Sequence, residues 1–392
     1  MTDIEPVNTQ EEPDMESKRT VLDAEQIVDQ VYDLVEEFKA NINSVAQSVR
    51  ALEKSAPQPK IDFSPEESAF KWAPGEKDRN LFPIRHEDLW DFRKKLEALH
   101  WNAQEVDRSK DKKDWLTRMD EGQRTFVKMQ LAFFSRIDID VLENIGENFI
   151  KEVDCMEAQA FYAGQEDQEW IHAESYSLQI LAVMDGEERD HILNAVRTMP
   201  IIAKIRSWVL RWFDTKLDLG ERLVAFAAVE GVLFSASFAA LQWLRELNLL
   251  PGITDYNSFI SRDEGIHTLF TCLLVRKYLR AQPSQERAEA IFRSVVDVID
   301  EFVKESLPVR LIGMNDDLMM QYVRFQADSV MEDMGYSPIW RVTNPFRFMD
   351  KMALNDVTKV SFFESRPTQY QNVTKEGATR LAFDDDEPSD DE

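Results

Sequence analysis

Residues 169–176 read EWIHAESY and residues 260–267 read ISRDEGIH, so each stretch carries a glutamate followed three residues later by a histidine. Residues three apart lie on one face of an α-helix, where both side chains can reach the same ion. Carboxylate oxygens and imidazole nitrogens together suit divalent ions such as iron and manganese. The two stretches therefore predict metal-ligating helices with the pairs Glu169/His172 and Glu264/His267.

The spacing alone is weak evidence, because four of the five histidines follow a glutamate by three residues. Glu97/His100 follows a run of basic residues, and Glu188/His191 lies among acidic ones. Both of these pairs are therefore predicted to lie on solvated helix surfaces. The pairs in the two opening stretches have uncharged neighbours along the same helix face, which favours burial.

Two further carboxylates stand alone in apolar surroundings. Glu230 is the single charge between Leu223 and Leu244, and Asp138 shares its helix face with large apolar residues. Its neighbour Asp140 lies on a face with charged residues and is predicted to be solvated. A buried carboxylate is unfavourable unless it is paired or binds a metal.

The spacing along the chain brings these groups together. Asp138 precedes Glu169 by 31 residues and Glu230 precedes Glu264 by 34, which suits a helix, a turn and a returning helix in each case. Two Glu-x-x-His helices combined with two single carboxylates are the signature of ferritin-like dimetal bundles. We therefore predict a ferritin-like, all-α bundle with a dimetal-carboxylate centre. Buried ion pairs without a metal are the structural alternative. The predicted ligands are Asp138, Glu169, His172, Glu230, Glu264 and His267.

Composition agrees with an all-α protein and excludes several classes of function. Glycine is scarce, at 12 of 392 residues, and no strand-like alternation of useful length occurs. A net charge of −27 argues against binding to nucleic acid or anionic membranes. The apolar run Leu223–Leu244 is long enough to span a bilayer, but its composition favours a buried central helix. An acidic N-terminus and two cysteines predict a cytosolic or nuclear protein, with the cytoplasm as our expectation.

The chain is predicted to divide into a bundle and flanking segments. Residues 1–20 are an acidic disordered tail, and 21–55 carry a heptad pattern typical of an amphipathic helix, which either lies on the bundle or forms a coiled coil. Residues 56–79 are a proline-containing linker, 80–355 form the catalytic bundle, and 356–392 form a C-terminal tail.

At these residues the sequence closely resembles the small, radical-generating subunit of class I ribonucleotide reductase, of the eukaryotic and large-virus type. The similarity covers about residues 80–372. It rests on HWNAQEVDRSKD from His100, LAFFSRIDIDVLEN from Leu131, EWIHAESYSLQI from Glu169, VAFAAVEGVLFSASF from Val224 and ISRDEGIH from Ile260. The resemblance implies that the six predicted ligands hold two iron ions, with manganese not excluded.

The resemblance also implies roles for residues beyond the ligands. Tyr176 matches the position of the family's stable tyrosyl radical. Phe234, Phe238 and Ile260 match the apolar wall around it, and Trp101, Asp263 and Tyr370 match the residues that transfer the radical. The family forms homodimers and docks on a large subunit through its C-terminal tail, for which Leu381 and Phe383 are candidate anchors.

The cysteine count fits a divided enzyme. Ribonucleotide reduction needs three thiols near the substrate, and this chain has only Cys155 and Cys272. The sequence therefore predicts that a large subunit performs the reduction. Two other interpretations remain open at this point. They are a different ferritin-like di-iron oxidase and an iron-binding or storage protein without radical chemistry.

Overall fold

The computed structural model describes residues 69–71, 81–306 and 314–349, which form a bundle of α-helices. No strand occurs within these ranges, where Phe70 makes an isolated antiparallel bridge to Leu279. The all-α prediction is confirmed for this part of the chain. The following predictions lie outside it: segments 1–20, 21–55 and 356–392, most of 56–79, and residues Tyr370, Leu381 and Phe383.

The α-helices of four or more residues are numbered here in chain order. They are α1 (Glu87–Leu99), α2 (Asp111–Thr117), α3 (Glu121–Asn144), α4 (Met156–Val183), α5 (Gly186–Leu193), α6 (Ala195–Thr198), α7 (Pro200–Trp212), α8 (Leu219–Ala228), α9 (Ser235–Glu246), α10 (Pro251–Leu273), α11 (Gln285–Ser306) and α12 (Asp316–Asp333). Helix α3 packs against α4, and α8 and α9 pack against α10. These are the two helix pairs that the spacing of the carboxylates predicts.

Helix α3 has a well-defined start. The Asp120 carboxylate accepts a hydrogen bond from the Gln123 backbone N–H at 2.8 Å, and the Gln123 side chain accepts one from the Asp120 N–H at 3.0 Å. This reciprocal capping satisfies two donors that the first helical turn leaves without partners. The helix then runs without interruption through Asp138 to Asn144, which fixes the position of that carboxylate.

The long apolar stretch from Leu219 to Glu246 contains a π-helical turn, Val229–Leu233, between α8 and α9. By length and composition this stretch could cross a membrane, yet its most apolar window is entirely buried by the described residues. The prediction of a buried central helix is therefore supported. Glu230 lies within the π-helical turn, a type of irregularity that is frequent at functional sites.

A tight contact holds this turn against its neighbours. A Cβ atom added at Gly231 would lie only 2.7 Å from Thr268 Cγ2 on α10 and from Val330 Cγ2 on α12. A larger residue would therefore force these helices apart. The glycine allows the backbone beside Glu230 to approach α10 closely.

Helix α10 begins at a buried carboxylate. The backbone N–H groups of Gly252 and Ile253 donate to the two oxygens of Asp111 at 2.9 and 3.0 Å. A Cβ atom at Gly252 would lie 2.5 Å from Asp111 Oδ2, so glycine is required for this contact. The cap fixes the start of the helix that carries Glu264 and His267.

We predict that neither cysteine reacts in the folded protein. Cys155 and Cys272 are buried, and neither forms a disulfide. Burial raises the pKa of Cys155 to about 12 and the pKa of Cys272 well above its ordinary value. Because the thiolate is the reactive form, a disulfide reagent at pH 8 should label no thiol in the native chain and two after unfolding in guanidinium. Rapid labelling of the native chain would contradict this burial.

Candidate metal centre

The predicted ligands converge inside the bundle as two overlapping groups. Within each group, the candidate ligand atoms all lie within 4.8 Å of one another. The first group is Asp138, Glu169, His172 and Glu264, and the second is Glu169, Glu230, Glu264 and His267. All six residues are at most 2 % exposed. Each group has the size and chemistry of one metal position.

Glu169 and Glu264 belong to both groups, and each directs one oxygen to each histidine. His172 Nδ1 lies 3.1 Å from Glu169 Oε2 and 3.1 Å from Glu264 Oε1. His267 Nδ1 lies 3.1 Å from Glu169 Oε1 and 3.3 Å from Glu264 Oε2. Two carboxylates shared in this way can bridge two cations, while Asp138 and Glu230 complete one position each.

The electrostatics of the cluster favour cations. Burial raises the pKa of Asp138 and of Glu230 well above the ordinary values, and neighbouring carboxylates raise both further. Burial disfavours the charged form of both histidines, but the neighbouring carboxylates have the larger effect. They raise the pKa of His172 well above its ordinary value and the pKa of His267 to about 9. The cluster thus retains protons that divalent ions would replace.

Unpartnered buried oxygens support the same conclusion. Asp138 Oδ2 and Glu230 Oε2 have no hydrogen-bond partner among the described residues. A buried carboxylate oxygen without a partner is unfavourable in a protein interior. The donors available, four carboxylates and two imidazoles, are those that iron and manganese accept, so the residues fit a pair of such ions.

A chain of contacts leads away from the cluster at His172. Asp263 Oδ2 lies 3.4 Å from His172 Nε2 and accepts a hydrogen bond from Trp101 Nε1 at 2.7 Å. Burial favours the neutral acid, but the Arg262 guanidinium at 3.0 Å and these hydrogen bonds hold the pKa of Asp263 below its ordinary value. Trp101 is buried, and its ring stacks 6.3 Å from that of His172. The structure thus connects Trp101, Asp263 and His172, and the role of Trp101 and Asp263 in radical transfer stays a prediction.

Two glutamines that the sequence analysis did not identify contact the cluster. Gln165 Nε2 donates to Glu230 Oε1 at 3.0 Å, and Gln168 Oε1 lies 2.9 Å from His267 Nε2. Both lie on α4 and are buried. Gln168 follows Glu166 and Asp167 in the sequence, so it gives no signal of burial before the structure is known.

Tyr176 lies one helical turn beyond His172, with its hydroxyl buried. The hydroxyl has no hydrogen-bond partner at standard geometry among the described residues. Burial, and then the negative charge of Asp138, raise the pKa of Tyr176 well above its ordinary value. The neutral phenol therefore retains its proton.

One aromatic ring, that of Phe134, stacks against the Tyr176 side chain, and further rings pack against Phe134. Phe134 stacks on Tyr176 with centroids 5.0 Å apart and a 6° angle between the planes. Phe134 also packs against Phe234 and Phe238, at 5.8 and 5.0 Å. Ile260 is fully buried on α10, and its role in this wall stays a prediction. Phe134 was not predicted as part of the wall, although it lies one turn before Asp138 on the same apolar face.

The prediction that Asp140 is solvated was wrong. Asp140 is 1 % exposed and pairs with Arg136 and with Arg206, whose Nε lies 3.0 Å from its Oδ2. Arg206 comes from α7, and a pattern read along α3 alone does not include it. The Asp140 carboxylate thus belongs to a buried ion pair, and it is not a member of either metal-ligand group.

The other two Glu-x-x-His pairs do lie at the surface. His100 and His191 are exposed, and the side chains of Glu97 and Glu188 are 38 % and 41 % exposed. The same four-residue motif therefore occurs in two environments within one chain. Only the two pairs with uncharged neighbours enter the cluster.

Two helix pairs that enclose four carboxylates and two histidines define the class of ferritin-like dimetal-carboxylate proteins. A family model described as "Ribonucleotide reductase, small chain" matches residues 78–345. The chain belongs to this family, which confirms the resemblance seen in its sequence motifs.

Individual relatives agree with the family model. The chain is 43 % identical over 314 residues to a ribonucleoside-diphosphate reductase small chain from African swine fever virus, covering 78 % of this chain and 96 % of that one. It is 45 % identical over 295 residues to ribonucleoside-diphosphate reductase subunit M2 from Danio rerio, covering 75 % of each.

Solved structures show the same fold. The ribonucleotide reductase Rnr4 homodimer from Saccharomyces cerevisiae matches with a TM-score of 0.63 and 31 % identity, covering 69 % of this chain and 86 % of that one. Dimanganese(II)-NrdF from Streptococcus sanguinis matches with a TM-score of 0.62 at 17 % identity, covering 70 % and 98 %, and this likeness concerns the fold alone. The ferritin-like prediction is confirmed.

Proposed function

We propose that this chain is the small subunit of a ribonucleoside-diphosphate reductase. The six clustered residues hold two iron ions, Tyr176 carries a radical, and a separate large subunit uses that radical to reduce ribonucleotides. The observation that carries the proposal is the pair of shared carboxylates, Glu169 and Glu264, beside a buried phenol. The proposed metal ligands and Tyr176 all come from described residues.

The metal pair, when bound, supplies the one-electron oxidation of a nearby phenol by O2. The chain's own residues prepare that phenol and protect it. Burial and Asp138 keep the proton on Tyr176 Oη until the ring loses an electron. Phe134 covers one ring face and excludes water. Among the carboxylates, the charge of Asp138 raises the pKa of Tyr176 most, and we assign Asp138, ionised when the metals are bound, as the acceptor of the phenol's proton.

The route toward the large subunit begins at Trp101 in this proposal. Its hydrogen bond to Asp263, and the contact of Asp263 with His172, provide a continuous path from the cluster. Tyr370 would continue the path, and Leu381 and Phe383 would anchor the tail on the large subunit. A homodimer is proposed on the family relationship. Two unpaired cysteines agree with a reducing compartment such as the cytoplasm.

The test is to load the metal-free chain with Fe(II) in the presence of O2, and separately with Mn(II). Metal content, electron paramagnetic resonance and ribonucleotide reduction are then measured with and without the large subunit. We expect two ions per chain, a tyrosyl signal, and deoxyribonucleotide only when both subunits are present. Two bound ions without a tyrosyl signal would favour another di-iron oxidase, and uptake of many ions would favour iron storage.

We predict that Trp101→Phe separates radical formation from radical use. Phenylalanine lacks the indole N–H that bonds to Asp263, but it preserves much of the packing. Metal content and the tyrosyl signal should stay at the wild-type level. Ribonucleotide reduction should fall below about 1 % of wild type, because the proposed path loses its hydrogen bond between Trp101 and Asp263. A 100-fold loss corresponds to about 2.7 kcal/mol in the barrier.

Trp170→Phe is the matched control for this substitution, since Trp170 is 58 % exposed and directly follows Glu169 in sequence. It should leave both the signal and turnover unchanged. Full activity in Trp101→Phe would remove this tryptophan from the proposed path.

A further inference from the structure

The two histidines of the cluster have different partners on their outer nitrogens. Nδ1 of each ring faces the shared carboxylates. Nε2 of His172 faces the carboxylate of Asp263, whereas Nε2 of His267 faces the side-chain oxygen of Gln168 at 2.9 Å. One histidine therefore has an anionic partner and the other a neutral one.

The protonation of His267 follows from this arrangement. An amide oxygen can only accept a hydrogen bond, so the ring must donate from Nε2 to Gln168 Oε1. Nδ1 then faces the shared carboxylates, and once its proton is lost its lone pair would be available to a metal bound there. The contact selects the tautomer and fixes the ring orientation, which are the two functions of an outer partner of a ligating histidine.

Among the described residues, the contact with His267 is the one hydrogen bond of the Gln168 side chain. Gln168 is 2 % exposed, and its Nε2 donors have no partner among the described residues. Burying an amide for a single hydrogen bond disfavours folding. An apolar residue of similar size would suit this position better if packing were the only requirement.

We propose that Gln168 is a positioning residue for His267 and that its neutral amide makes the metal position of Glu230 and His267 the weaker of the two. This inference rests on the proposed dimetal function. An anionic partner makes an imidazole more electron-rich than a neutral partner does, and so strengthens its bond to a cation. His172 has such a partner in Asp263, and His267 does not. The ion at the His267 position is therefore expected to exchange more readily.

The test is an anaerobic titration of the metal-free chain with Mn(II), in which free Mn(II) is followed by electron paramagnetic resonance. The wild type should show two binding steps of unequal affinity. Gln168→Leu should weaken the weaker step by about 10- to 100-fold and leave the tighter step unchanged. Gln168→Glu supplies an anionic partner and should bring the weaker step closer to the tighter one.

Two controls separate this role from a general effect on folding. Gln179 is also a buried amide on α4, and neither of its amide atoms has a partner among the described residues. Gln179→Leu should therefore change neither binding step. Circular dichroism of metal-free Gln168→Leu should show the wild-type helix content, because among the described residues the Gln168 side chain makes a hydrogen bond to His267 alone.

The possible results are distinct. Equal weakening of both steps, or no change in Gln168→Leu, would overturn the role of Gln168 while two bound ions in the wild type would still support the dimetal function. A wild-type chain that binds no second ion would overturn both proposals. Selective loss of one step in Gln168→Leu, together with its recovery in Gln168→Glu, is the outcome that we expect.

Discussion

Replacing Tyr176 with phenylalanine is expected to abolish ribonucleotide reduction while leaving the metal content unchanged. The substitution removes one hydroxyl, and the stacking of the ring on Phe134 is preserved. Phenylalanine is far harder to oxidise than a phenol, so no stable radical can form at this position. Activity should fall by at least about 1000-fold, equivalent to about 4 kcal/mol in the barrier. The measurements are the tyrosyl signal after aerobic iron loading and turnover with the large subunit.

Tyr162 provides a matched control for this prediction. It is a fully buried phenol on the same helix, stacked near Phe149, and its hydroxyl also lacks a partner among the described residues. Tyr162→Phe should keep both the signal and the activity. A tyrosyl signal that persists in Tyr176→Phe, or disappears in Tyr162→Phe, would show that the radical is assigned to the wrong ring.

Replacing Glu264 with alanine is expected to remove both metal ions, whereas Asp138→Ala should remove only one. Glu264 belongs to both ligand groups, and Asp138 belongs to one. Loss of Glu264 leaves each position without one donor and leaves Glu169 as the one carboxylate that both groups share. Metal content after desalting should fall from about two ions per chain to about none in Glu264→Ala, by the coordination requirements of such sites.

Glu188→Gln is the corresponding control, because Glu188 belongs to a Glu-x-x-His pair at the surface. It should retain both ions. Circular dichroism of the metal-free variants would show that the helices are intact, since Glu264→Ala removes a charge from a buried acidic cluster. Two tightly bound ions in Glu264→Ala would contradict the shared role of this carboxylate.

The ligand set could be predicted from the sequence because burial and helical spacing coincide at those residues. Glu230 and Asp138 are isolated carboxylates in apolar helices, and the uncharged neighbours of Glu169 and Glu264 distinguish them from the two surface pairs. In each case the signal is local to one helix. It can therefore be recognised before the packing of the helices is known.

Other features depend on contacts between helices and could not be predicted in this way. Asp140 is buried because Arg206 reaches it from α7. Gln168 is buried by the bundle although charged residues precede it in sequence. The π-helical turn at Glu230 interrupts a run that its composition presents as a single regular helix. These are properties of the assembled bundle, and no helix encodes them alone.

The close approach at Gly231 has a consequence for how the centre tolerates change. At Gly231 the backbone packs against the side-chain methyl groups of Thr268 and Val330, so this close contact sets the spacing of three helical segments. The distance between the opposing carboxylates of Glu230 and Glu264 therefore depends on how these two methyl groups pack against the Gly231 backbone. Val330 lies on α12, which contributes no ligand. A larger side chain at this position would nevertheless push against the backbone at Gly231 and shift the neighbouring ligand Glu230. The buried methyl group of Val330 therefore acts as a spacer, and its size limits how closely α12 can approach the metal-ligand residues.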